Sequence, residues 1–255
     1  MRVTAIPARG FEAKSYSGTH TILVALNCTE ERRKGLMGFA FEREMIGPGG
    51  TGPKWLRSQK VFKSIVPDPK SAVDSHDPGK SRRFDTKDFP IQSFLWGDYT
   101  AAPGTAYRFR IVPMYGKPGA LTSDPQDELK LEIETETEWK KGAGHGVWFN
   151  RGAIASQKFA EEFGNAPPKN IDDPMDPEVV WLSRGLLEAC LNYIKGTPVG
   201  DALRVAAYEF TYKPVLDELK RAIDRGVDVQ IVYHDTSDAP GRPQRNGHAG
   251  GRSSD

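Results

Sequence analysis

The chain has 255 residues, with 35 Lys and Arg against 34 Asp and Glu, which leaves a formal charge of +1. A hydrophobic fraction of 38%, a charged fraction of 27% and an aromatic fraction of 10% describe a soluble globular protein and argue against a disordered or membrane chain. The near-zero charge excludes a global field that would recruit nucleic acid or an anionic membrane, so any such binding must rest on a local patch.

The length suits two domains, each able to bury its own core. The opening "MRVTAIPARGFEAK" has no apolar run of the length a secretory signal needs. Cys28 and Cys190 lie far apart without metal-ligand spacing. A cytoplasmic location and the absence of a metal or other cofactor are the expectations. Cys190 falls on the apolar side of a predicted helix, which predicts a small buried hydrophobe.

Residues 1–18 read as an N-terminal extension. From Thr19 to about Lys141 the apolar pattern has period two and is broken by Gly and Pro clusters, as in antiparallel strands. "THTILVALN" places His20, Ile22, Val24 and Leu26 on one face. "YRFRIV" sets Tyr107, Phe109 and Ile111 against Arg108 and Arg110, and "LKLEIETETEW" sets Leu129, Leu131 and Ile133 against Lys130, Glu132 and Glu134. If these two strands pair, Arg108 and Arg110 meet Glu132 and Glu134, worth roughly 0.2–1 kcal/mol per pair. With "LMGFAFEREM" (Leu36 to Met45), "PKWLRSQKVF" (Pro53 to Phe62) and "FPIQSFLWGDY" (Phe89 to Tyr99), about six or seven strands are available. They predict an α+β multidomain chain whose residues 19–145 form an antiparallel β-sandwich of the fibronectin or immunoglobulin type.

The stretch from Val66 to Asp88 is polar, without apolar period, and predicts a long loop. Its Lys80, Arg82 and Arg83 read as solvated charges, and His76 as a surface histidine. "GPGGTG" (Gly47 to Gly52) lacks the Lys-Ser/Thr of a phosphate loop and reads as a turn.

After Gly144 the pattern turns helical. Ala155, Phe159 and Phe163 recur four apart, and Gly164 stands where a left-handed cap is expected. Asp176 and Pro177 open a helix carrying Val179, Leu182, Leu186, Leu187, Cys190, Leu191 and Ile194, ended by Gly196. "ALRVAAYEF" (Ala202 to Phe210) reads as a strand. Pro214 then opens a helix with Val215, Leu216, Leu219, Ala222 and Ile223 inward, and Gly226 turns the chain into the strand "VDVQIVYHD". A crossover of this kind makes the two strands parallel. Functional groups in such sheets collect beyond the carboxyl ends of the strands, here around Glu209, Phe210, His234 and Asp235. Glu209 reads as partly buried and paired to a base such as Lys213, and His234 with Asp235 as a strand-end turn that could serve as a base and its orienting acid. Trp148, Trp181, Tyr208 and Phe210 read as core.

The segment "LRVAAYEFTYKPVLDELKRAIDRGVDVQIVYHD" resembles the first strand, helix and second strand of a phospholipase D-like domain, and the upstream "VWFNRGAIASQKFAEEFG" is similar to the lead-in of bacterial members with an N-terminal β-sandwich. The resemblance covers residues 146–240. It implies metal-free phosphodiester chemistry, in which a histidine attacks phosphorus, a lysine two residues later neutralises the phosphoryl oxygens and an aspartate follows that lysine after four intervening residues.

This chain departs from that pattern. None of His20, His76, His145, His234 and His248 is followed by Lys two positions on, so the His-x-Lys-x4-Asp motif is absent and no catalytic residue is assigned. The catalytic domain is expected to be incomplete, through truncation or frameshift, and residues 241–255, rich in Arg, Gly and Ser, to be disordered.

The sequence supports three functional expectations. The first is the N-terminal part of a phospholipase D-like phosphodiesterase, inactive alone, whose intact relatives act on a lipid or nucleic-acid phosphodiester. The second is a non-catalytic β-sandwich binding or scaffold protein. The third, a nucleic-acid partner, is weakened by the neutral charge. Exposed sheet edges make self-association an expected property, and no transmembrane segment is expected.

Overall fold

A computed structural model describes residues 1–68, 73–74, 77–81, 83–140, 142, 144–152, 156–164 and 166–234, with side chains from 73 to 81 and that of residue 157 outside the description. The chain is a mixture of α-helix and β-strand with mostly antiparallel sheets. It divides into two compact units, Met1–Trp148 and Phe149–Asp255.

Unit 1 carries β1 (Arg2–Thr4), β2 (Phe11–Ser17), β3 (Ile22–Cys28), the short helix α1 (Glu30–Arg33), β4 (Leu36–Ile46), β5 (Lys54–Trp55), β6 (Arg57–Ser58), β7 (Val73–Asp74), β8 (Asp77–Ser81), β9 (Phe84–Asp85), β10 (Leu95–Asp98), β11 (Ala106–Lys117), β12 (Ala120–Thr122) and β13 (Leu129–Glu134). One sheet runs β1-β2-β3-β10. The other runs β12-β11-β4-β5, with β13 also on β11. Phe11 and Ala13 of β2, Ile22, Val24 and Leu26 of β3, Phe39 and Phe41 of β4, Phe109 and Ile111 of β11, and Leu129 and Leu131 of β13 share one core. Period-two alternation is what lets each strand present one such face.

Several expectations change here. Residues 1–18, read as an extension, supply β1 and β2. Their burial alternates through Phe11, Ala13, Ser15 and Ser17, and the small Ala and Ser side chains hid that alternation in the sequence. The loop between Val66 and Asp88 contains the short ladders β7–β8 and, with β6, β6–β9. His76 and Arg82, like the side chain of Lys80, lie outside the described residues. Arg108 meets Glu132 at 2.7 Å as expected, but it also holds Glu44 at 2.8 Å. Arg110 stands opposite Lys130 in the β11–β13 register and binds Glu42 at 2.7 Å and Glu128 at 3.1 Å instead of Glu134.

Unit 2 carries α2 (Gln157–Phe163), α3 (Pro177–Ser183), α4 (Leu186–Gly196), β14 (Ala202–Ala207), α5 (Lys213–Asp224) and β15 (Asp228–Tyr233). The Asp176 carboxylate caps α3 by accepting from the N–H groups of Glu178 at 2.9 Å and Val179 at 3.4 Å. The single helix expected from Pro177 to Gly196 is two, because Arg184 at φ 48° and Gly185 at φ 88° break it. Ser183 restarts the chain as a helix, its hydroxyl accepting from the Leu187 N–H at 2.8 Å. β14 and β15 pair in parallel from Ala202↔Asp228 to Ala207↔Tyr233. Ile194, Leu203, Leu219, Ala222 and Val227 form the small core beneath them. Ile223, expected inward, is exposed, while Glu218 is buried and ion-paired with Arg221 at 2.7 Å and Arg225 at 3.5 Å. Residues 235–255 lie outside the described residues, so the expected tail carries no structural account.

No described helix is long and apolar enough to cross a membrane.

Candidate functional site

β14, α5 and β15 bring the strand ends together through two local devices. Pro214 sits in the first turn of α5, where its missing N–H costs nothing. Gly226, at φ 95°, then takes the left-handed turn that returns the chain into β15, and Val227 drops into the core. Both strands therefore end at the same edge, with the His234 N–H donating to the Ala207 carbonyl at 3.1 Å one step past the last pair.

At that edge the Tyr208 ring stacks on the His234 imidazole, with centroids 5.1 Å apart and planes 8° from parallel. Phe210 and Tyr233 meet beside them at 5.8 Å. Ala206, Ala207, Tyr208, Val232, Tyr233 and His234 line an open cleft of about 450 Å³. Tyr208 and Val232 are each 75% exposed, so this face of the two strands has no second layer among the described residues. No side chain caps the first turn of α5, whose N-terminus comes after β14 at the same edge.

These positions change the reading of individual residues. Tyr208, expected in the core, is an exposed ring, and its place at the end of an apolar run was the available hint. Phe210 is half-buried against the small core. Glu209 is exposed and makes no ion pair among the described residues, since Lys213 takes Asp217 one turn along α5. Asp235 lies outside the described residues, so the His234 and Asp235 pair has no geometry to report. Trp181 packs as expected, its ring meeting Phe159 at 5.6 Å and Phe163 at 5.9 Å.

Cys190, expected buried, is exposed on α4. Atoms around its sulfur still desolvate it enough to push the thiol pKa up, which keeps it protonated and weakly nucleophilic.

Chemically, the edge offers a stacking platform, one titratable imidazole and the positive end of a helix dipole. Such a set can hold a planar or anionic group. The His-x-Lys spacing that would let it attack phosphorus occurs nowhere in the sequence. Among the described residues no group of three or more His, Cys, Asp or Glu is disposed to hold a metal ion. No protein-family model, curated protein or solved structure matches the chain, so the reading of this edge rests on its own geometry.

Proposed function

We propose that unit 2 is the opening strand-helix-strand of a phospholipase D-like phosphodiesterase domain, that unit 1 is a β-sandwich of the fibronectin or immunoglobulin kind, and that this chain holds a phosphodiester without cleaving it. The observation that carries the reading is the Tyr208 and His234 stack at the carboxyl ends of two parallel strands. In open parallel sheets ligands gather at that edge. There the start of α5 has no side-chain cap, and the free N–H groups and partial positive charge of a helix start favour a phosphoryl group. The exposed Tyr208 ring takes the flat part of an ester substituent, and the His234 imidazole offers a ring nitrogen for a hydrogen bond.

Cleavage would need a nucleophilic imidazole with a lysine beside it to neutralise the phosphoryl oxygens. His234 is followed by Asp235 and Thr236, so that partner is missing. In a complete enzyme of this type the substrate is a lipid or nucleic-acid phosphodiester.

The test is titration of the whole chain with bis(4-nitrophenyl) phosphate, followed by NMR of the His234 imidazole and by absorbance of released nitrophenolate. The expected result is a saturating shift at His234 with no release. An unshifted His234 would remove the binding half of the reading. Turnover that persists through further purification would remove the non-catalytic half.

A second reading, a non-catalytic binding or scaffold protein centred on unit 1, draws on the charged outer face of β4, β11 and β13. There Arg108 and Arg110 are laced to Glu42, Glu44, Glu128 and Glu132. Those ion pairs are satisfied among themselves, which leaves the strand edge of unit 2 as the better-supported site.

A further inference from the structure

Two segments of unit 2 clamp each other through a pair of arginines. The Arg151 N–H donates to the Leu182 carbonyl at 2.8 Å, its Nη1 donates to the Trp181 carbonyl, and its guanidinium lies 4.3 Å from the centroid of the Trp181 ring. In return Arg184 donates from Nε to the Phe149 carbonyl at 3.0 Å and from Nη2 to the Asn150 carbonyl at 3.3 Å. Arg184 is the residue at φ 48° that ends α3, so the helix break itself aims this side chain.

Every acceptor in that clamp is a neutral backbone carbonyl. Arginines on a surface ordinarily find a carboxylate or swing apart. Neither guanidinium meets a carboxylate among the described residues, and Glu188 in the first turn of α4 instead accepts the Ser183 hydroxyl at 2.5 Å. Burial, and then the neighbouring Arg184 charge, push the Arg151 pKa down, so the two cations feel each other. A guanidinium carries five N–H donors in a planar fork. Nε and Nη2 of Arg151 and Nη1 of Arg184 have no acceptor among the described residues. Two arginines, each pinned on the backbone of the other's segment with donors to spare, form an arrangement that an oxyanion completes by forked, charge-assisted hydrogen bonds. Because the clamp already fixes both side chains, little rotamer entropy remains to be lost on binding.

We infer that Arg151 and Arg184 together form a binding site for a single phosphate group, carried by a soluble phosphorylated molecule or by a lipid headgroup. The site shares no residue with the Tyr208 and His234 stack and stands independently of the phosphodiesterase reading.

The experiment titrates the full chain at constant ionic strength and monitors the Arg151 and Arg184 Nε–H and the Trp181 indole N–H by NMR. Inorganic phosphate and glycerol phosphate are the soluble arms, with chloride as control. Co-sedimentation with phosphatidylcholine vesicles containing phosphatidate is the lipid arm. A saturating shift of all three resonances with the soluble anions but not chloride supports a soluble source. Vesicle binding lost in Arg151→Gln, without such a shift, supports a headgroup. Arg151→Gln is expected to weaken soluble binding about tenfold or more, the loss of a charge-assisted fork, and Lys220→Gln on α5 to leave it unchanged. The proposal is overturned by shifts that are linear or equal in chloride together with vesicle binding that is absent or indifferent to Arg151→Gln. Soluble binding unchanged in a folded Arg151→Gln protein also overturns it. Where that variant does not fold, the wild-type titration with its chloride control still decides.

Discussion

Thr86 belongs to no strand, yet its hydroxyl accepts from the Phe41 N–H at 2.9 Å and donates to the Phe41 carbonyl at 3.1 Å, at a position only 1% exposed. It thus satisfies both backbone groups of a residue in the middle of β4. Replacement by the near-isosteric Val leaves the Phe41 N–H buried without a partner, while the carbonyl keeps the Leu56 N–H at 2.8 Å, at a cost of about 1–3 kcal/mol. Thr86→Val is therefore expected to lower the urea midpoint of unit 1 by a corresponding amount, and an unchanged midpoint would mean that water replaces the hydroxyl. Nothing in the local sequence marks Thr86 for this role, because Phe41 lies 45 residues away. Arg110 shows the same limit. Its charge and outward direction were legible from the alternation of "YRFRIV", but its partner Glu42 is 68 residues distant and was not. Tyr208 shows the limit for burial, since an aromatic at the end of an apolar run reads as core until its ring is seen to be uncovered among the described residues.

At the scale of elements, punctuation was easier to read than continuity. Asp176 with Pro177, Pro214 and Gly226 each stand where the sequence placed a start or a turn, because capping, a missing N–H and a left-handed φ are properties of one to three residues. The break between α3 and α4 escaped the same reading, since the apolar period runs through it unbroken. Gly185 at φ 88° is the residue that makes it tolerable. Gly185→Ala is expected to destabilise unit 2 by about 1–2 kcal/mol, the usual penalty for a Cβ in that conformation. Trp181 fluorescence during unfolding is the readout, and a variant as stable as the parent would mean that the two helices can merge into one. The strand expected between Pro53 and Phe62 failed differently. It survives only as the two-residue β5 and β6, separated at Leu56, whose N–H donates across to the Phe41 carbonyl.

Among the described residues the main cores of the two units are of unequal size. Unit 1 gathers the inward faces of β2, β3, β4, β11 and β13 into one cluster, whereas unit 2 rests on Ile194, Leu203, Leu219, Ala222 and Val227. A core of its own is what allows a segment to fold alone. Residues 1–148 expressed by themselves are expected to melt cooperatively, close to the temperature of the same transition in the full chain, as monitored by near-ultraviolet circular dichroism. A broad, non-cooperative melt would show that unit 1 depends on residues 149–255 for its stability.

By itself the sequence determined the periods, the turns, the parallel pairing of β14 with β15 and the absence of a His-x-Lys pair, because each depends on residues close together in the chain. Only the tertiary structure decided that residues 1–18 join a sheet, that Tyr208 stands exposed over His234, and that Arg151 and Arg184 each hold the other's backbone segment without a carboxylate partner among the described residues. Those outcomes depend on which distant surfaces cover which, and burial and charge pairing are settled by neighbours in space, not by neighbours in sequence.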